Sequence, residues 1–240
     1  MAVFLYALAT AAATGLGALP FLFVRRMPRS WLGVSNALAA GLMGAASWTL
    51  LDEGFQYDGA YTLLGGAAGF VFIALTNRAL RGRHVHWGEL PNADALKILF
   101  ILGIMTLHSF TEGIGVGVSF GGGDVLGLYI TAAIALHNIP EGLAISLVMI
   151  PLGTPVWKAA LWSIFTSLPQ PLMAVPAFLF VETFRDVLPA GLGFAAGAMT
   201  WMIAAELLPS ALRDARRAQV AGAIAVAVIL MLLFQAAIRG

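Results

Sequence analysis

The residues HSFTEGIGVGVSFGGGDVLGLYITAAIALHNIPEG, 108–142, contain one pattern twice. HSFTEG (His108–Gly113) and HNIPEG (His137–Gly142) each place a histidine four residues before a glutamate, within a long apolar run. On a helix, residues i and i+4 share one face a turn apart. His108 then sits beside Glu112 and His137 beside Glu141, so two neighbouring helices each present an imidazole and a carboxylate. One such pair reads equally well as a buried structural hydrogen bond. Two pairs in the same register weigh against that reading.

Composition decides the setting of those helices. Of the 240 residues, 60% are hydrophobic and 10% charged, and the mean hydropathy is +0.90. These values describe an all-α polytopic membrane protein and exclude a soluble domain with a large core. A carboxylate near the bilayer centre costs at least roughly 2.5 kcal/mol, so buried acids there are functional candidates. Glu112 and Glu141 therefore need a cation. No Lys or Arg occurs between Lys97 and Lys158, and the neutral histidine beside each acid favours a metal ion. The chain has no cysteine, which removes disulfides and thiolate ligands and leaves methionine as the one soft donor.

Eight apolar segments follow one another at about 2–24, 32–51, 60–77, 96–119, 125–150, 157–181, 188–208 and 218–237. At 1.5 Å rise per residue each can span a hydrocarbon layer of about 30 Å. The first has no basic residue ahead of it and no cleavage site followed by a polar region, so it reads as a helix and not a signal peptide. Residues 1–240 read as a single transmembrane domain.

The connections alternate in charge. Arg25, Arg26, Arg29, Arg78, Arg81, Arg83, Lys97, Lys158, Arg213, Arg216 and Arg217 lie in or beside the odd loops, eleven of the thirteen basic residues. The even loops hold Asp52, Glu53 and Asp58, then Asp124, then Glu182, Arg185 and Asp186. By the positive-inside rule the odd loops are cytoplasmic and both termini face outside, in a multi-pass protein of the inner (plasma) membrane. The partners expected are a divalent metal ion and the lipid bilayer, with no nucleic acid. Gly- and Ala-rich helix faces permit a homodimer and tight internal packing equally well.

Other residues qualify as secondary or pathway groups. His84 and His86, near Glu89 in the third loop, are either part of a solvated linker or a cytoplasmic metal-collecting pair. Pro140 cannot donate to the Leu136 carbonyl, and Asn138 beside it can offer its side-chain oxygen to a cation or bond a neighbouring helix. Ser109 follows His108. Gly113, Gly115 and Gly117 form a small-residue stripe that reads as close packing, or more sharply as a sliding surface. Gln170 lies between Pro169 and Pro171, which break the sixth helix there. Glu206 precedes the expected end of the seventh helix by one turn, as a ligand, a vestibule residue or an interfacial acid. In the second helix, core packing is the default for Met43.

Together these stretches resemble the ZIP (Zrt/Irt-like) metal transporters, above all the compact bacterial GufA-like or ZupT-like members. The resemblance is carried by ATGLGALPF, SNALAAGLMGAAS, HSFTEG, HNIPEG, LPQPL and GAMTWMIAAELLP, and covers nearly the whole length. It implies an eight-helix bundle with both termini outside. Helices one to three and six to eight would be related by inverted pseudosymmetry around the fourth and fifth. Carried over, the family's intramembrane metal site falls on His108, Glu112, His137, Asn138 and Glu141. Where the family commonly has a glutamate before proline in the sixth helix, this chain has Gln170, which puts a second, carboxylate-bridged metal in doubt.

The expected function is uptake of a divalent transition metal by alternating access, zinc first, with iron, manganese, cobalt and cadmium also suited to nitrogen and oxygen donors. The metal is cargo, and no cofactor is expected. An intramembrane metal-dependent hydrolase is the alternative, but the chain has no HExxH.

Overall fold

The computed structural model describes residues 2–24, 27–81 and 93–239, and every element among them is a helix. Eight spans follow in order. They are α1 Ala2–Leu22, α2 Arg29–Tyr57, α3 Gly59–Arg81, α4 Ala93–Gly121, α5 Asp124–Met149, α6 Val156–Thr183, α7 Arg185–Asp214 and α8 Arg217–Arg239. Seven of them are long and apolar enough over their described residues to cross a bilayer. The remaining one, α4, is 29 residues long, more than the roughly 20 a span requires. His84 and His86 lie outside the described residues.

Three spans are irregular, each at proline or glycine. The second half of α1, Gly15–Leu22, tightens into a 3-10 helix that contains Pro20. In α6 the helix Val156–Ser167 gives way at Leu168 to a second helix starting at Pro169, where a missing N–H costs nothing. The expected end of the seventh helix at 208 is overrun, because α7 continues to Asp214. A wide π turn over Ile203–Leu207 ends two residues before Pro209, and the altered bonding lets the helix pass a residue that cannot donate.

The packing repeats itself. α6 lies on α4 as α1 lies on α5, and α7 lies on α3 as α2 lies on α8. Exchanging the first three helices for the last three, and α4 for α5, turns each pair into the other, as an inverted repeat requires. Small residues bring the backbones together: a Cβ on Gly65 or Gly69 of α3 would sit 2.0 Å from the Ala190 or Phe194 carbonyl oxygen of α7. The Gly113, Gly115, Gly117 run is not one stripe. Gly113 and Gly117 abut α6 backbone at Gln170 and Ala174, whereas Gly115, about 200° round the helix, abuts Met199 of α7.

Aliphatic side chains of α3 and α8, such as Leu64, Leu75, Leu232 and Leu233, are exposed on the outside, as on a lipid-facing surface. Trp31 and Trp157 stand exposed near the start of α2 and α6, and Tyr57 and Tyr61 at the opposite end, the placement of interfacial aromatic belts. Arg185, the basic residue among the acidic connections, is held locally: it pairs with Glu182 at 2.5 Å and donates to the Gly121 carbonyl at 2.8 Å.

Candidate metal centre

Both repeated motifs are continuous helix, so the four-residue spacing puts His137 and Glu141 on one face of α5, and Glu112 reaches them from α4. Glu112, His137 and Glu141 are all buried, and each contributes a ligand atom to a group that lies within 4.8 Å of one another. His137 Nδ1 is 3.2 Å from Glu112 Oε1 without hydrogen-bond geometry. Both Glu141 oxygens, Glu112 Oε1 and Asn138 Oδ1 are buried with no hydrogen-bond partner among the described residues. Unpartnered buried oxygens are rare and call for an explanation, and here both carboxylates carry them into one group with the His137 imidazole.

The glycine that closes each motif permits this convergence. A Cβ on Gly142 would lie 1.7 Å from the Thr14 carbonyl oxygen of α1, and one on Gly113 would lie 2.5 Å from the Gln170 carbonyl oxygen of α6. Each motif therefore ends where another helix crosses it, and at the α4 crossing α6 brings a polar residue to the glutamate. Gln170, fully buried, donates from Nε2 to Glu112 Oε2 at 2.6 Å. Its Oε1 accepts from Asn138 Nδ2 at 3.1 Å and from the Thr10 hydroxyl at 2.6 Å. Asn138 Nδ2 also donates to the Thr10 carbonyl at 2.7 Å.

His108 is not in the close group. Its Nδ1 lies 3.6 Å from Glu206 Oε2 of α7, and Glu206 Oε1 accepts from Asn77 of α3. Glu206 falls inside the π turn, eight residues before the end of α7, and faces His108 and Asn77. His108, His137, Glu141 and Glu206 line one cavity of about 560 Å³ that runs past Asn36 and Ser210 to the exposed Arg213. Met43 is buried in the apolar core, and Ser109 Oγ is buried without a partner among the described residues.

Sequence reading missed Thr10 and Asn77. Each is a polar residue in an apolar run, but membrane-helix threonines usually bond their own helix carbonyls, so Thr10 had no distinguishing mark. Asn77, an amide at the expected end of an apolar segment, gave the clearer signal.

Comparison with known proteins matches residues 83–234 to the ZIP zinc transporter family. The chain is 33% identical over 219 residues to the zinc transporter GufA of Myxococcus xanthus, covering 84% of this chain and 85% of that protein. It is 32% identical over 221 residues to the zinc transporter ZIPB of Bordetella bronchiseptica, covering 85% and 70%. An Arabidopsis thaliana protein provisionally named a zinc transporter is 51% identical over 233 residues, 95% of this chain. The aligned region spans 38% of that plant protein. The repeated His/Glu motifs, the inverted helix packing and these matches agree, and the chain belongs to the ZIP zinc transporter family.

Proposed function

We propose that the chain carries a divalent transition-metal cation, zinc before others, across a plasma (inner) membrane into the cytoplasm. The observation that carries this reading is the convergence of Glu112, His137 and Glu141 in a buried group within 4.8 Å, with carboxylate oxygens that have no other partner among the described residues. Two carboxylates balance a 2+ ion, and imidazole nitrogen with carboxylate oxygen suits zinc and its neighbours. Asn138 Oδ1 is a further oxygen donor, and His108 joins the set when it leaves Glu206.

A transport centre must also let its ion go. The open cavity beside His137 and Glu141 supplies the route, and its mouth at Arg213 lies at the basic end of the helices. With that end cytoplasmic by the positive-inside rule, the conformation is inward-facing. Two charges moving inward gain roughly 4.6 kcal/mol per 100 mV of inside-negative potential, at about 2.3 per charge. That gain can drive entry without a coupled ion.

The test is Zn²⁺ entry into proteoliposomes, read with an enclosed fluorescent zinc indicator. His137→Ala and Glu141→Ala should each lower the initial rate by more than the roughly tenfold that losing a ligand's supporting partner alone costs. Unchanged rates in both variants would remove these residues from the pathway.

A further inference from the structure

We infer that Thr10 of α1 is a positioning residue for the cargo centre, setting through Gln170 the orientation of the Glu112 carboxylate. The inference rests on the transport reading above. It starts from a closed ring of three residues on three helices. Thr10 offers its hydroxyl to Gln170 Oε1 at 2.6 Å and its carbonyl to Asn138 Nδ2 at 2.7 Å, and Asn138 Nδ2 closes the ring on Gln170 Oε1 at 3.1 Å. Thr10, Asn138 and Gln170 are all fully buried, so no water competes for these atoms.

The direction of the Gln170 amide is what the ring determines. A glutamine side chain can present either its oxygen or its NH₂ group to a given neighbour. Here Nε2 faces Glu112 Oε2 at 2.6 Å. The reversed amide would set oxygen against a carboxylate oxygen at that distance and NH₂ against the Asn138 donor. The Thr10 hydroxyl, whose single hydrogen is shared with the Ala7 carbonyl at 2.7 Å, supplies the shorter of the two bonds to Gln170 Oε1. With Oε2 engaged by Gln170, Glu112 presents Oε1 to His137 and Glu141. Among the described residues the Thr10 hydroxyl bonds the Ala7 carbonyl and Gln170 and none of these three ligands, so the influence of that hydroxyl passes through the amide.

That route separates positioning from simple helix packing. Purified protein is titrated with Zn²⁺ in competition with a chelating dye, and with Co²⁺, whose visible ligand-field spectrum reports the geometry of its donors. Thr10→Val, which keeps shape and removes the hydroxyl, should weaken Zn²⁺ binding about tenfold, the effect of one buried hydrogen bond. It should also alter the Co²⁺ spectrum while the metal-free thermal midpoint stays near the wild-type value. Thr10→Ser should restore affinity to within about twofold. In a Gln170→Ala background, Thr10→Val should add less than about twofold, because coupled residues are not additive.

Wild-type affinity in Thr10→Val, equal damage from Thr10→Ser, or full multiplication of the Thr10 and Gln170 effects would each overturn the inference. If the valine variant does not fold, Thr10→Ala carries the same comparisons. No Zn²⁺ binding by the wild-type protein would instead overturn the transport reading, and this role with it.

Discussion

On the proposed reading, Gln170 is the residue that sets how many ions the centre holds. A carboxylate there would face Glu112 Oε2 at the 2.6 Å now spanned by an N–H donor, and two anions at that distance require a proton or a cation between them. The neutral amide removes that requirement and uses one Glu112 oxygen for itself. Elemental analysis should therefore find about one zinc per wild-type chain, and Gln170→Glu should raise the ratio towards about two, as the charge balance of the added acid requires. A ratio that does not rise would show that the amide is not what limits the centre to one ion. Protonation opposes loading in either form, because the ion needs ionised carboxylate and neutral imidazole and displaces their protons. Zn²⁺ affinity should fall as pH is lowered, and more steeply in Gln170→Glu, where one more carboxylate competes for protons. Equilibrium titration across a pH series checks both slopes.

At the level of the helix, each motif glycine fixes a crossing. Gly142, which is not itself a ligand, tests its crossing: a methyl group there would meet the Thr14 carbonyl oxygen at 1.7 Å, and main chain cannot rotate aside as a side chain can. Gly142→Ala should destabilise the detergent-solubilised protein by about 1–3 kcal/mol, the usual cost of overpacking, seen as a lowered thermal midpoint. Gly222→Ala in α8, where nothing lies within 4 Å, is the control and should be neutral or stabilising by up to about 1 kcal/mol. The motif spacing was legible in the sequence because i and i+4 geometry is local: His137 and Glu141 face the same way whatever surrounds them. Contacts between distant segments were not. Nothing local distinguishes Thr10, whose partners lie 128 and 160 positions away, from threonines that bond their own helix. Nor does the repeat reveal that His108 turns to Glu206 while His137 turns to Glu112. The π turn that places Glu206 there was hidden because Pro209 reads as a stop, and only the packed helix shows how the chain passes it.

Across the whole molecule, two cavities lie toward opposite ends. The larger holds His137 and Glu141 and ends at Arg213; the smaller, about 320 Å³, is lined by Glu53, Asp124 and Tyr129. From Tyr129 to His137, α5 rises about 12 Å, and the buried side chains in that interval include Ile130, Ala133 and Ile134, packed with Met43 and Leu50. This apolar layer closes the centre toward the acidic end and leaves it open toward the basic one. Charge alternation along the sequence indicated which ends belong together, but not which end would be open, since that depends on how the helices tilt. The natural absence of cysteine makes the arrangement directly measurable with single thiols. In intact cells, a membrane-impermeant maleimide should label Asp124→Cys, and should reach Ser210→Cys only after the membrane is permeabilised. Ile134→Cys should resist the reagent from both sides while the apolar layer is closed. Labelling of Ser210→Cys in intact cells would reverse the orientation drawn from the basic loops. Labelling of Ile134→Cys from outside, with Ser210→Cys protected even after permeabilisation, would show that the resting protein holds the opposite face open, and that the inward cavity belongs to the less populated state.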